Sequence, residues 1–291
     1  MTFFEHLING VSLGSIYAII ALGYTMVYGI ARMLNFAHGD VIMVGGYVSF
    51  FAMARFNMPP IISVLLAVIV CTVLGITIES FAYKPLRQAT SLAVLITAIG
   101  VSYFLQNAAL LLWSPNPLVF PSVVGTHTFR FFGIPVSAVT ITTIISCIVI
   151  MVALTVYTAK TKMGKAMRAC SENKGAASLM GINVNATISL TFAIGSGLAA
   201  IAGVLLCSAY PTLTPTTGVM PGIKAFTAAV FGGIGSIPGA MLGGISLGVI
   251  EIFSRAYIST QLSDAIVFSV LIVVLLVKPA GLLGRLVPEK V

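Results

Sequence analysis

The sequence predicts an all-α protein, a polytopic transmembrane helical bundle of eight or nine membrane segments, including broken or half-length helices. Two observations support this fold class. Only 8% of the 291 residues are charged and the mean hydropathy is +1.10, whereas soluble domains carry about 25% charged residues. The apolar runs are continuous and most reach the roughly 20 residues that a helix needs to cross a bilayer, unlike the alternating segments of about ten residues that build a transmembrane barrel.

The whole chain, residues 1–291, is expected to form one transmembrane domain, and its first four segments are delimited by polar residues. Leu7–Tyr28 is long enough to span the membrane. Val41–Ala54 has only about fourteen residues, so it either extends backward through the preceding turn or forms a half-helix inside the bundle. The third segment, Ile61–Ser80, and the fourth, Leu92–Trp113, are separated by a short basic stretch.

The second half of the chain predicts further segments, one of them interrupted. Ser137–Ala159 and Ala186–Ser208 are span-length apolar runs. Ala225–Ile250 is uncharged but rich in glycine and contains Pro238, so a broken or kinked element is expected there. Ala265–Val277 is the last apolar run.

Proline and glycine indicate where the segments end and how they pack. Ser114–Pro135 and Tyr210–Gly222 are rich in proline, so neither is expected to be helical. Gly10, Gly14 and Ala18 recur every four residues in the first segment. Small residues at this spacing predict a face that another helix approaches closely.

The basic residues indicate how the chain is oriented. Cytoplasmic loops are enriched in Lys and Arg, and ten of the fifteen such residues fall in three clusters between or after the apolar runs. These are Lys84 and Arg87; Lys160, Lys162, Lys165, Arg168 and Lys174; and Lys278, Arg285 and Lys290. We expect all three clusters, and so the C-terminus, to be cytoplasmic. The net charge of +8 therefore reports orientation and does not indicate a nucleic-acid partner.

The side on which the N-terminus lies depends on the second segment. The N-terminus lies on the side opposite the cytoplasm if Val41–Ala54 crosses the membrane fully, and in the cytoplasm if it does not.

Residues 160–183 form the one long polar interruption of the chain. A short helix is predicted there, with Ser171 as its N-cap, Glu172 on its positive end and Gly181 as the left-handed residue that ends it. An apolar patch at helical spacing consists of Ala176, Leu179 and Met180. Two interpretations are open: the helix docks into a groove of a soluble partner, or the basic segment lies in the lipid headgroups.

The sequence offers no energy source and no metal site. A phosphate-binding loop is not found, because Gly164-Lys165 lacks both the earlier glycine and the following hydroxyl of that motif. The three histidines lie far apart, and none has a partner at helical spacing. We expect no catalytic activity and no bound cofactor, so the drive for transport must come from a partner.

Four acidic residues lie nearest to membrane depth: Asp40, Glu79, Glu251 and Asp264. A charge at the bilayer centre costs about 2.5 to 3.5 kcal/mol, so acids there are functional candidates. Each of the four lies near the end of an apolar run, however, and Glu251 has Arg255 one helical turn away. Interfacial anchoring or structural pairing is therefore favoured over a proton relay.

Several motifs over nearly the whole chain are similar to those of one family. Residues 164–183 read Gly-x-Ala-x-Arg-Ala followed by Ala-Ala-x-Leu-x-Gly-Ile-Asn, and residues 34–39 read Leu-Asn-Phe-Ala-His-Gly. The glycine pattern of residues 10–23, the Lys-Ala-Phe and Gly-Gly-Ile-Gly-Ser elements within 224–240, and the Lys-Pro-Ala-Gly-Leu of 278–282 also match. In these features the chain resembles the permease subunits of bacterial ABC importers for branched-chain amino acids (Leu, Ile and Val).

The resemblance implies a non-catalytic permease of the bacterial inner membrane that forms a heterodimer with a second, homologous permease subunit. Two ATPase subunits would use ATP beneath the pair, and a periplasmic substrate-binding protein would supply the solute. Residues 160–183 would be the cytoplasmic coupling loop. The implied ATPase-coupling residues are Gly164, Arg168, Glu172, Asn173, Leu179 and Gly181. Leu179 would be the apolar anchor, and Gly181 would set the exit of the coupling helix.

Polar residues within or beside the apolar runs are candidates for lining the translocation path. They are Asn35, Thr97, Ser102 and Asn107. The alternative is that each bonds to a neighbouring helix, as polar residues on membrane helices usually do.

Other functions stay open at the level of the sequence. Close relatives of this family import urea or short amides, and in such systems the binding protein largely determines the solute specificity. A secondary transporter driven by an ion gradient would depend on Asp40 or Glu79. A passive channel would need no ATP, and an intramembrane enzyme would have only His38 and Asp40 as an adjacent pair.

Overall fold

A computed structural model describes residues 2–125, 127–131 and 134–284, and the helical membrane bundle is confirmed there. The described residues contain eleven α-helices: α1 (Thr2–Ala31), α2 (His38–Ala54), α3 (Pro60–Ile78), α4 (Ser91–Trp113), α5 (Ala138–Lys160), α6 (Lys162–Glu172), α7 (Lys174–Leu179), α8 (Val184–Ala209), α9 (Val219–Gly232), α10 (Ile237–Tyr257) and α11 (Ser263–Val277). A π-helical turn (Glu79–Tyr83) and a 3₁₀ turn (Lys84–Leu86) continue α3.

Four short strands occur among the described residues, all near the proline-rich stretches. β1 (Leu118–Val119) pairs antiparallel with β4 (Thr212–Leu213), and β2 (Thr128–Phe131) pairs antiparallel with β3 (Ile134–Ser137). The first proline-rich stretch is not helical where it is described, as predicted. The prediction for Tyr210–Gly222 is wrong at its end, because α9 already begins at Val219. Pro221 falls in the first turn of α9, where a helix tolerates proline.

The apolar helices agree with the predicted membrane segments. Six of the described helices, α1, α3 with its continuation, α4, α5, α8 and α10, are long and apolar enough to cross a membrane, and α9 and α11 are shorter apolar helices. The predicted interruption of the glycine-rich run is confirmed, since α9 ends at Gly232 and α10 begins at Ile237. Gly233 and Gly235 in the break have φ of 103° and 95°, a backbone region that favours glycine.

The second segment extends backward by only three residues, to His38, and the turn before it is not helical, so α2 agrees with the predicted half-length helix inside the bundle. α2 starts at His38, whose ring lies against Gly23 of α1. Gly23 precedes the end of α1 at Ala31 by eight residues, so the His38 ring reaches a level about 12 Å along α1 from its end. Non-helical backbone at such depth is tolerated only where protein surrounds it, and the turn before α2 is largely buried.

The end of α1 and residues 160–183 lie on one face of the bundle, because Lys174 bonds to the carbonyl of Ala31. The start of α1 lies on the opposite face, since a helix of 30 residues is about 45 Å long. Arg285 and Lys290, which were predicted to be cytoplasmic, lie outside the described residues.

α1 is the buried axis of the fold. In its 18-residue apolar window 94% of the residues are buried inside the chain, compared with 83% in α8 and 17% in α4. α1 packs most extensively against α10, and α8 and α9 also cover it. Therefore α1 and α8 are shielded by protein, whereas α4 leaves most of its surface to lipid or to another subunit.

The seam between α1 and α10 requires glycine. A methyl group at Gly248 would lie 2.2 Å from the Cα of Gly14, and one at Gly244 would lie 2.4 Å from the backbone nitrogen of Ala18. The predicted close-approach face of Gly10, Gly14 and Ala18 is thus confirmed, with α10 as its partner. Packing of this kind drives helix association in lipid, where the hydrophobic effect between helices is absent.

Replacing Gly248 by leucine is expected to lower stability, because the side chain would force the two backbones apart. Overpacking a tight core typically costs about 1–3 kcal/mol. Thermal unfolding of the purified protein in detergent, followed by fluorescence-detected size exclusion, measures the change. Gly100→Leu on α4 is the matched control, since nothing lies within 4 Å of the position that its Cβ would take. Equal melting temperatures for the two variants would contradict the seam.

An ionic cluster with Lys224 and Glu251 at its buried centre joins α1, α9, α10 and α11. The Nζ of Lys224 lies 2.7 Å from Glu251 Oε1 and 2.6 Å from Asp264 Oδ1. The Tyr17 hydroxyl donates to Glu251 Oε2 at 2.8 Å, and Arg255 also pairs with Glu251. Structural pairing, favoured for Glu251 and Asp264, is confirmed. With two cations and two carboxylates the cluster is formally neutral, which reduces the cost of burying it.

Lys224→Met is expected to be strongly destabilising, because it leaves an unbalanced carboxylate in the bundle. Breaking a buried pair costs about 3–5 kcal/mol, whereas replacing both partners is far milder. The double variant Lys224→Met with Glu251→Gln retains Arg255 and Asp264 and restores neutrality. Its melting temperature is expected to lie above that of Lys224→Met alone. A double variant that melts at or below the single one would show that charge balance does not stabilise this cluster.

Candidate functional site

The segment 160–183 contains two helices rather than the single one predicted. The first, α6, has Thr161 as its N-cap, whose Oγ1 accepts a hydrogen bond from the backbone of Gly164 at 2.9 Å. Gly164 is buried in the turn from α5, where a methyl group would lie 2.3 Å from the carbonyl oxygen of Tyr157. Gly164 therefore sets the direction in which α6 folds back from the end of α5.

The predicted cap at Ser171 is wrong. Ser171 lies inside α6, where its hydroxyl donates to the carbonyl of Arg168 at 2.7 Å. The cap of the second helix is Asn173, which has extended backbone and accepts from the backbone of Ala176 at 3.0 Å. Asn caps helices as well as Ser does, so two adjacent candidates compete and local sequence does not decide between them. Glu172 consequently ends α6 and does not lie on the positive end of a helix, which corrects the second part of that prediction.

The end of α7 agrees with the sequence. Gly181 has a φ of 81°, and its backbone donates to the carbonyl of Ser178 at 3.0 Å. A left-handed glycine at this position is a common helix terminator.

α7 presents its predicted apolar patch to the exterior. Leu179 is 91% exposed and Met180 is 82% exposed, and Ala176 is exposed beside them. Ala177 is buried on the opposite side, where it fixes α7 to the rest of the chain. The patch lies outside the membrane-spanning helices. One side of α7 therefore packs on the protein through Ala177, and the opposite side exposes an apolar surface.

The remaining coupling candidates are also at the surface. Arg168, Glu172 and Asn173 are exposed. Arg168 donates to the carbonyl of Ala159 at 3.2 Å, near the end of α5. The structure therefore places five of the six predicted coupling residues on an outer surface, and Gly164 in the interior beneath them.

Two cations that were not among the predicted coupling residues attach this segment to α1. Lys174 Nζ donates to the carbonyl of Ala31 at 2.6 Å, and Arg32 donates to the carbonyl of Ser171 at 3.2 Å. Burial lowers the pKa of Lys174, and the charges of Arg32 and Arg87 lower it further. The only local signal in the sequence was the position of Arg32 directly after an apolar run.

A second set of contacts attaches the start of α8 to the turn after α3. Arg87 pairs with Glu79 and donates to the side chain of Asn185. The Ser189 hydroxyl donates to Glu79 Oε2 at 2.6 Å. Structural pairing of Glu79, favoured from the sequence, is confirmed.

Asp40 is a buried acid that accepts a hydrogen bond from a neutral side chain. The side-chain amide of Gln106 donates to Asp40 Oδ1 at 2.9 Å and also lies 3.1 Å from the hydroxyl of Ser102. No Lys or Arg of the described residues forms a salt bridge with Asp40. Asp40 lies in the first turn of α2, where the positive end of the helix favours a carboxylate.

The predicted translocation-path residues are distributed over several environments. Asn35 is buried and accepts from the Tyr83 hydroxyl at 2.9 Å, and it also lines a small cavity of about 10 Å³ with Tyr24 and Phe226. Asn107 is exposed on α4 and donates to the backbone of Tyr103 at 2.7 Å. Thr97 and Ser102 are half-buried on the same helix. Gln106, which was not among the candidates, joins Ser102 to Asp40.

Comparisons with known proteins agree with this architecture. Residues 6–275 match the family described as "Branched-chain amino acid transport system / permease component". The permease protein LivH of the high-affinity branched-chain amino acid transport system of Escherichia coli K12 is 47% identical, with 99% of this chain and 98% of the relative covered. BraD of Pseudomonas aeruginosa, described in the same terms, is 45% identical with the same coverage.

A more distant relative is a permease for a different solute. The ribose import permease protein RbsC of Haemophilus influenzae is 28% identical, with 85% of this chain and 76% of the relative covered. The family match spans most of the chain and the LivH and BraD matches span nearly all of it. The chain belongs to the family of permease components of branched-chain amino acid transport systems.

Proposed function

We propose that this chain is the permease subunit of an ATP-binding-cassette importer that carries Leu, Ile and Val across the bacterial inner membrane, with α7 as its coupling helix. The observation that carries the proposal is the exposed apolar patch of α7, led by Leu179 at 91% exposure. The names of the LivH and BraD relatives support the choice of solute.

The exposed patch favours a protein partner over water. Covering a side chain such as Leu179 contributes about 1.5–3 kcal/mol, so a groove that accepts it gains substantial affinity from one residue. Arg168, Glu172 and Asn173 around it are exposed and supply polar contacts for the rim of the same interface. A buried apolar anchor with a polar rim is the usual composition of a protein interface.

The partners follow from the same assignment. Two ATPase subunits bind below the bundle and supply the energy from ATP, for which this chain has no binding motif. A second, homologous permease completes the pore as a heterodimer, and a periplasmic binding protein delivers the solute. Residues 160–183 and the clusters at Lys84–Arg87 and Lys278 face the cytoplasm, which places the start of α1 in the periplasm.

Transport then follows from movement of α7. Closure of the ATPase dimer displaces the coupling helix, and the attached helices shift the permease between outward-facing and inward-facing states. Asp40 is held by Gln106, and Glu79 and Glu251 are paired. These acids stabilise the bundle in this account and do not carry ions.

Leu179→Asp is expected to weaken ATPase association by about thirtyfold or more, since removing a central interface anchor costs about 2 kcal/mol or more. Ser178→Asp is the matched control, because it adds the same charge at an adjacent exposed position outside the apolar patch. Copurification of the ATPase subunits with the tagged permease, at several ATPase concentrations, measures the loss.

Uptake of leucine by the reconstituted complex is measured in parallel. Wild-type complex is expected to require ATP and binding protein, and the Leu179→Asp complex is expected to lose uptake. Normal association and uptake with Leu179→Asp would refute α7 as the coupling helix. Uptake by this chain alone under an ion gradient would instead identify a secondary transporter.

A further inference from the structure

We infer that Arg32 and Lys174 are positioning residues that lock the coupling helix to α1, so that displacement of α7 moves the central axis of the bundle. This inference rests on the proposed function of α7. It adds to it the two side chains through which the displacement reaches α1.

The two residues form reciprocal caps. α1 ends at Ala31, whose carbonyl accepts from Lys174 at 2.6 Å. α6 ends at Glu172, and the carbonyl of the preceding Ser171 accepts from Arg32 at 3.2 Å. The last carbonyls of a helix lack partners within it, and the end of the helix carries partial negative charge. Lys174, which follows α6, therefore caps the C-terminal end of α1. Arg32, which follows α1, caps the C-terminal end of α6.

The backbone of Arg32 is adapted to this contact. Arg32 has a φ of 55°, a left-handed conformation that is uncommon for residues with a side chain. Its backbone still donates to the carbonyl of Tyr28 at 2.8 Å and so closes the last turn of α1. The Arg32 side chain is exposed, and from this turn it reaches the carbonyl of Ser171 across the surface of the protein.

The environment of Lys174 also indicates a fixed position. Lys174 is half-buried, and the nearby charged groups that act on it are Arg32 and Arg87. No carboxylate of the described residues forms a salt bridge with Lys174 or Arg32. The ammonium group is stabilised among like charges by the hydrogen bond that it donates to the carbonyl of Ala31 at the end of α1.

The two hydrogen bonds connect the segment 160–183 to α1, to which it is not joined directly along the chain. The segment 160–183 is joined covalently to α5 and α8 only. α1 is the most buried of the long helices and packs against both α10 and α8. With the reciprocal caps in place, displacement of α7 acts on α1 directly. Without them, it reaches α1 only through side-chain packing.

The test uses the complete complex of both permeases and the ATPase subunits, reconstituted in proteoliposomes with binding protein. Lys174→Met and Arg32→Met are compared with Lys165→Met, which removes an exposed cation from the same segment. The measured quantity is leucine transported per ATP hydrolysed. Both variants are expected to retain ATPase association and hydrolysis but to lose about tenfold in this ratio, because each lacks a charged hydrogen bond. Lys165→Met is expected to match wild type.

The conservative variant Lys174→Arg keeps a cationic donor and is expected to stay within about twofold of wild type. It also provides a folded protein if Lys174→Met does not assemble. A normal transport-to-ATP ratio in Lys174→Met and Arg32→Met would overturn the inference. A tenfold loss in Lys174→Arg, or in Lys165→Met, would also overturn it. These outcomes are distinct from failure of the proposed function, which Leu179→Asp reports through ATPase association.

Discussion

The close approach of α1 and α10 is the constraint on which the rest of the fold depends. In lipid the helices gain nothing from the hydrophobic effect between them, so contact must come from backbones that approach closely. Gly14, Gly244 and Gly248 allow this approach. The seam places α1 at the centre of the bundle, where Tyr17 holds Glu251, Gly23 admits His38 and Ala31 receives Lys174.

The distribution of charge supports the proposal that the force for transport comes from a partner. Glu79, Glu251 and Asp264 are paired with cations, and Asp40 is bonded to a neutral amide at the positive end of a helix. Paired groups of this kind stabilise a conformation, and separating them is costly. In the proposed function, force enters at the exposed apolar surface of α7 and passes inward.

The sequence predicted those features that have a local or periodic signature. Apolar runs gave the long helices, glycine and Pro238 gave the break between α9 and α10, and Gly181 gave the end of α7. The predictions that failed have two causes: two neighbouring residues that could each cap a helix, and contacting residues that lie far apart in the sequence. Ser171 and Asn173 are equally suitable caps, so the division into α6 and α7 was missed. Lys174 meets Ala31, and Arg32 meets Ser171, across more than a hundred residues, and no local pattern marks such pairs. Gln106 was missed as the partner of Asp40 for the same reason.

The central claim is that α7 and α1 move together, and distances between spin labels test it most directly. One doubly labelled variant carries cysteines at Ser178 in α7 and Tyr28 in α1 and reports on their connection. A second carries cysteines at Tyr28 and at Leu111 in α4, the least buried of the long helices, and serves as the reference. The four native cysteines are buried, which limits background labelling. When the complete complex binds ATP, the account predicts an unchanged distance between Ser178 and Tyr28 and a changed distance between Tyr28 and Leu111. A changed first distance with an unchanged second would mean that α7 moves without α1 and would contradict the account.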